Sequence, residues 1–174
     1  EGVPDTLRLY YAENQAGLRN LINFSAGTAE MKSYQNEKDF QECYPFIPYQ
    51  FNLLQKVFEN IRKLGASGKH LSEGERSMLN AFQEAAVGAG DFPLGTLVSF
   101  NLFYNTVEKF LDHTISRTIR QAAENSHLQP YDIEILKVLF MIRHIKEIKP
   151  NLENLTTLMV SKIDEDKIAL RQII

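Results

Sequence analysis

The stretch Tyr49-Gln50-Phe51-Asn52-Leu53-Leu54-Gln55-Lys56-Val57-Phe58-Glu59-Asn60-Ile61-Arg62-Lys63-Leu64 decides the fold class. Phe51, Leu54, Val57, Phe58 and Ile61 recur at intervals of three and four, which is the period of one face of a helix. Before it stands Cys43-Tyr44-Pro45-Phe46-Ile47-Pro48. Two prolines three residues apart disfavour helix and stiffen the lead-in. After it, Gly65-Ala66-Ser67-Gly68 stops the helix.

The same period recurs on either side. Residues 4–23 form a first helix, capped by Asp5 or Thr6, with Leu7, Tyr10, Tyr11, Leu18, Leu21 and Ile22 on one face. Residues 25–41 are polar, and only the weak alternation of 28–34 is compatible with an extended segment. Ser72-Glu73-Gly74-Glu75 reads as a capping box that opens a helix carrying Met78, Leu79, Phe82 and Ala86. A long helical stretch follows over 96–125, with Asp112-His113-Thr114 as its breaking point. In the last block, Gln129-Pro130 starts a helix with Ile133, Leu136, Leu139, Phe140 and Ile142 inward, ended by Lys149-Pro150. Asn151 starts a second helix with Leu152, Leu155 and Leu158. Asp164 caps a third with Ile168, Ile173 and Ile174. Leu136, Phe140, Leu155, Leu158 and Ile168 are expected to form one small core. The expected fold is therefore mainly all-α: a helical bundle over 1–128, lid-like over 44–90, then a helix-turn-helix over 129–174. That last part corresponds to a winged helix truncated before its wing.

Composition narrows the function classes. Hydrophobic residues at 44% and charged residues at 24% suit an ordinary globular core. A net charge of -3 excludes a strongly basic nucleic-acid binder, so phosphate contact would need a local patch. The lone Cys43 permits no internal disulfide and fits a reducing, cytoplasmic compartment. No apolar run approaches the roughly 20 residues that span a bilayer. The sequence starts at Glu1 without an initiator Met, which fits either a cut section of a longer chain or removal of the Met by processing.

No catalytic constellation emerges. Gly65 to His70 imitates a phosphate loop, but Lys63 and His70 occupy positions that need Gly and Ser or Thr. His70, His113, His127 and His144 share no metal-ligand spacing. Asp164-Glu165-Asp166 is an acid-rich helix start. From Tyr131 to Ile174, seven basic and seven acidic residues cancel. A recognition helix opening on three acids would repel phosphates. Arg76, in the first turn of its helix, is unfavourably placed against the helix dipole. It either pairs with Glu73 or Glu75, or points at an anion such as a nucleotide phosphate.

Two stretches carry a family likeness. Tyr44-Pro45-Phe46-Ile47-Pro48-Tyr49-Gln50-Phe51-Asn52-Leu53-Leu54-Gln55 and His70-Leu71-Ser72-Glu73-Gly74-Glu75-Arg76-Ser77-Met78-Leu79-Asn80-Ala81-Phe82-Gln83 resemble the BREX phage-defence P-loop ATPases of the BrxC/PglY family. Asn23 to Lys32 and Asp164 to Leu170 are similar to it as well, so the resemblance spans most of the chain. It implies a section downstream of the Walker motifs, non-catalytic in itself, with regulatory or assembly duties. ATP and Mg would belong to the parent protein and no cofactor to this section. The implied partners are the rest of the ATPase chain, other BREX proteins or further copies. Gly74-Glu75-Arg76 resembles, one residue shorter, the helix start that supplies a nucleotide-sensing arginine. The competing class is a stand-alone helix-turn-helix DNA-binding protein, with DNA the less favoured partner and no membrane contact under either reading.

Overall fold

A computed structural model describes residues 2–27, 31–63 and 74–174, without the side chains of Gly74 and Glu75. Its elements in chain order are α1 (Val3–Leu21), α2 (Glu37–Cys43), α3 (Tyr49–Lys63), α4 (Gly74–Ala89), a 3-10 turn (Phe100–Phe103), α5 (Tyr104–Glu108), α6 (His113–Ala123), α7 (Pro130–Ile142), α8 (Leu152–Leu158) and α9 (Lys167–Ile173). Among the described residues the fold is all-helical, and the only strand-like pairing is one antiparallel bridge between Thr96 and Lys162. No helix among them is long and apolar enough to cross a membrane.

The proline lead-in fixes α3 through one buried amide. Gln50 is fully buried. Its Oε1 accepts from the Ile47 amide at 3.0 Å, and its Nε2 donates to the Val98 carbonyl. The Val98 amide donates in turn to the Pro45 carbonyl at 3.0 Å. A buried amide is tolerated only when its polar atoms are paired, and here both ends are. From this anchor α3 buries Tyr49, Leu53, Leu54, Val57, Phe58 and Ile61. Phe51, expected on the inner face, is 40% exposed and stacks on Phe82 of α4 at 4.5 Å.

The same backbone accounting explains the largest departure from expectation. Residues 96–99 are extended, not helical. The Leu97 amide donates to Ser161, the Ile163 amide donates to Gly95, and Val98 is held by Pro45 and Gln50. Groups spent on distant partners are not available for a helical ladder. Gly95 is required at the start of this segment. Its φ is +99°, and a Cβ there would meet the Tyr10 hydroxyl at 2.4 Å. Helix resumes at Phe100, and Asp112 caps α6 by accepting from the Thr114 amide at 2.7 Å, at the expected break.

Helix α2 lies within a region whose polarity concealed it. Asn36 caps it, accepting from the Asp39 amide at 3.0 Å. Phe40 alone carries it into the core, against Tyr11, Tyr34 and Tyr44. One anchor residue leaves no periodicity to read. In α4 the buried stripe is Ser77, Ala81, Ala85 and Ala89, whereas Leu79 is 67% exposed. Ser77, Ala81, Ala85 and Ala89 recur every four residues, and Leu79 lies off that stripe. The capping box proposed at Ser72 lies outside the described residues.

The last block keeps its three helices with changed ends. Helix α7 stops at Ile142 instead of running to Lys149, and 143–149 form turns. Asn151 caps α8 as expected. Asp166, not Asp164, caps α9, accepting from the Ile168 and Ala169 amides at 3.0 and 3.1 Å. That register turns Leu170 inward and leaves Ile168 75% exposed, so Ile168 is not part of the block's core. Leu155 and Leu158 are buried there, with Leu136 and Phe140 half-buried. Residues 159–166 connect α8 to α9, a longer link than the roughly three or four residues of a helix-turn-helix.

Side chains stitch the block to the end of α1. Asn154 accepts from the Ser25 amide at 2.8 Å, and the Thr157 hydroxyl donates to the Asn23 carbonyl. Residues on both sides of position 128 share one buried hydrophobic cluster.

Candidate functional site

Arg76 occupies the first described turn of α4, exposed and already engaged in an interaction of its own. Further along α4, Phe82 meets Phe46 and Phe51 of the proline lead-in and α3 in an aromatic joint. Phe46 of the proline lead-in packs edge-on to Phe82 at 4.9 Å, Phe51 stacks on the same ring, and Phe103 closes the cluster at 5.1 Å from Phe82. Arg76 thus projects from a helix held on the lead-in by rings. The phosphate-loop imitation at 65–70 and the acids Glu73 and Glu75 fall outside the described side chains.

Among the described residues no three His, Cys, Asp or Glu side chains could hold a metal. Cys43 is half-buried, and burial first, then Asp39 and Glu42, push its thiol above the ordinary value, which opposes nucleophilic use. Asp164, Glu165 and Asp166 divide their roles. Asp166 caps α9, while Glu165 accepts from the Ser161 amide and hydroxyl, each at 3.1 Å.

The arrangement that sequence reasoning missed lies between α3 and the turn at 143–147. A polar cleft of about 240 Å³ is walled by Lys56, Glu59, Asn60 and Lys63 on one side and His144, Lys146 and Glu147 on the other. Lys56 and Glu147 pair across it at 2.8 Å, and Asn60 donates to the His144 carbonyl at 3.1 Å. The Lys56 hydrogen bond is the main reason the Glu147 carboxyl lies below its ordinary value, with Lys146 adding to the effect. Glu59 accepts from Gln55 at 3.1 Å.

Next to the cleft an apolar slot of about 20 Å³ opens among Val57, Ile61, Leu111, Ile115, Phe140 and Met141. That is room for a water molecule or the tip of an aliphatic side chain. Asn60 and His144 border both spaces. Arg143 lies over the Phe140 ring at 4.2 Å, at the mouth of the slot. One half of this site was visible in the spacing of Lys56, Glu59, Asn60 and Lys63, an i, i+3, i+4, i+7 stripe. The other half was hidden, because α7 was expected to continue through 143–147.

A second polar cluster is structural. Glu134 accepts from Asn101 at 2.7 Å and from Lys137 at 2.6 Å, tying the 3-10 turn to α7. Tyr104 packs beside it, its hydroxyl pushed up to about 12, chiefly by burial. Each carboxylate oxygen of Glu134 takes one of these contacts. No protein-family model matches the chain, and no solved structure matches it.

Proposed function

We propose that residues 1–174 form a non-catalytic regulatory and assembly section of a BREX-type P-loop ATPase that acts in phage defence. The observation that carries this reading is the resemblance of the two stretches that include Tyr44 to Gln55 and Arg76 to Gln83. Their meeting at Phe46, Phe51 and Phe82 supports it, because a joint of stacked rings gives α4 a fixed direction from which Arg76 can reach outward. ATP and magnesium are then held by the parent's own core, and Arg76 senses the nucleotide phosphates when that core is joined. The partners are the rest of the ATPase chain and other BREX proteins or further copies, in the cytoplasm.

The DNA-binding alternative is weaker on charge and on geometry. The first turn of α9 follows Asp164, Glu165 and Asp166, and the link before it is pinned to Gly95 and Leu97. The reading is tested in the parent chain with Arg76→Ala and Arg76→Lys. Losing one charge-assisted bond of about 1.5–3 kcal/mol predicts a roughly tenfold to hundredfold fall in ATPase rate for the alanine variant. Lysine should rescue it only in part, since it lacks the bidentate fork. The melting temperature of 1–174 should fall by no more than the few degrees that losing an exposed interaction of up to about 1 kcal/mol gives. A destabilised fragment combined with an unchanged parent ATPase rate would make Arg76 structural.

A further inference from the structure

We infer that the cleft between α3 and residues 143–147 docks a short acidic peptide segment of a partner protein, anchored by one aliphatic side chain in the adjoining slot. This rests on the geometry of the cleft and not on the ATPase reading.

Charge complementarity identifies the occupant. Among the described residues Lys63, Arg143 and Lys146 make no ion pair and all three are exposed; Lys63 and Lys146 line the cleft, and Arg143 lines the adjoining slot. Of the acids in the cleft, Glu147 pairs with Lys56, and Glu59 accepts one hydrogen bond from the neutral Gln55 amide and keeps its charge. Three cations that make no ion pair among the described residues outnumber the acids of the cleft, of which Glu147 is paired with Lys56, and this favours a ligand bearing a few carboxylates. Arg143 uses its flat face on Phe140, which leaves its in-plane N–H donors for a carboxylate. The slot supplies what a simple anion would not use, an aliphatic and aromatic lining with room for a terminal methyl group.

A nucleic-acid strand fits less well. Glu59, whose charge no ion pair takes up, interrupts the basic rim and would repel a continuous phosphate backbone. The Phe140 face that could stack a base is covered by Arg143. A peptide can place its carboxylates only where the cations are.

The probe is a fluorescent peptide of glutamate pairs separated by leucine, titrated against the full chain at low salt. Three comparison ligands are the same peptide with leucine replaced by serine, the same peptide with glutamate replaced by lysine, and a single-stranded oligonucleotide of equal charge. The glutamate–leucine peptide should bind saturably. Its affinity should fall about tenfold when Lys63→Glu and Lys146→Glu are combined, with loss of most of the salt dependence. The serine peptide should bind about tenfold more weakly than the leucine peptide. If the double reversal lowers the melting temperature, Lys63→Gln with Lys146→Gln must give the same direction at smaller size. Saturable binding that neither pair of variants weakens overturns the proposal. So does equal binding of the lysine peptide, or an oligonucleotide that binds through the same residues while the peptide does not.

Discussion

Helices α3 and α9 read alike and are held differently. Each shows apolar residues at helical spacing, yet α3 buries seven residues and α9 buries only Leu170. Periodicity reports that a helix has an apolar side. It does not report whether neighbours exist to cover that side. Helix α3 lies in the common hydrophobic cluster, with the proline lead-in at one end and α4 stacked on its outer ring. Helix α9 rests chiefly on α8, and Asp166 sets its register from outside the apolar pattern. Ile168 and Ile173 consequently remain 75% and 64% exposed.

The contrast is sharpest at Leu53, which is completely buried in α3. Leu53→Ala should cost about 3–5 kcal/mol, because the close-packed surroundings cannot collapse onto the space left behind. In a chain of this size that is a fall of about 2–4 °C in melting temperature per kcal/mol. A loss below about 1 kcal/mol would mean that α3 is no better covered than α9.

Gln50→Leu tests the polar half of the same helix and should cost less, about 2 kcal/mol. The substitution keeps side-chain volume but strips partners from the Ile47 amide and the Val98 carbonyl. Urea unfolding should show a lower midpoint at unchanged slope. A neutral result would show that Val98 and the lead-in hold together without the amide.

How much of this was legible depends on where each element gets its partners. Helix α3 and the starts of α6 and α8 were readable because Asp112, Asn151 and the apolar stripe act within a few residues of sequence. The extended run at 96–99 was not, since its bonds go to Pro45, Gln50 and Ser161, far away in the chain. Nor was α2, whose single anchor Phe40 carries no period. The cleft was half legible for the same reason: Lys56 and Lys63 share a readable stripe, but the turn at 143–147 that faces them was expected to be helix. Arg76 was identified from its place at a helix start and from resemblance, and the structure adds its exposure.

The smallest expected effect is the most discriminating, and it sits in α9. Ile168→Ser should change stability by no more than about 0.5 kcal/mol. Three observations lead there. The side chain is three-quarters exposed, so little apolar area returns to water. Serine and isoleucine have similar helix propensities, so the backbone is indifferent to the exchange. The cap is untouched, because Asp166 binds the backbone amide of residue 168 and not its side chain. Leu170→Ala is the internal reference. One position on the same short helix is 7% exposed, and its loss should be clearly the larger of the two. If Ile168→Ser instead costs more than about 1.5 kcal/mol, the amount expected for a buried aliphatic side chain, α9 packs in the register that its apolar spacing alone implies. Repeating the pair at two protein concentrations separates that outcome from burial against a second molecule. Only an intermolecular cover makes the Ile168 effect grow with concentration.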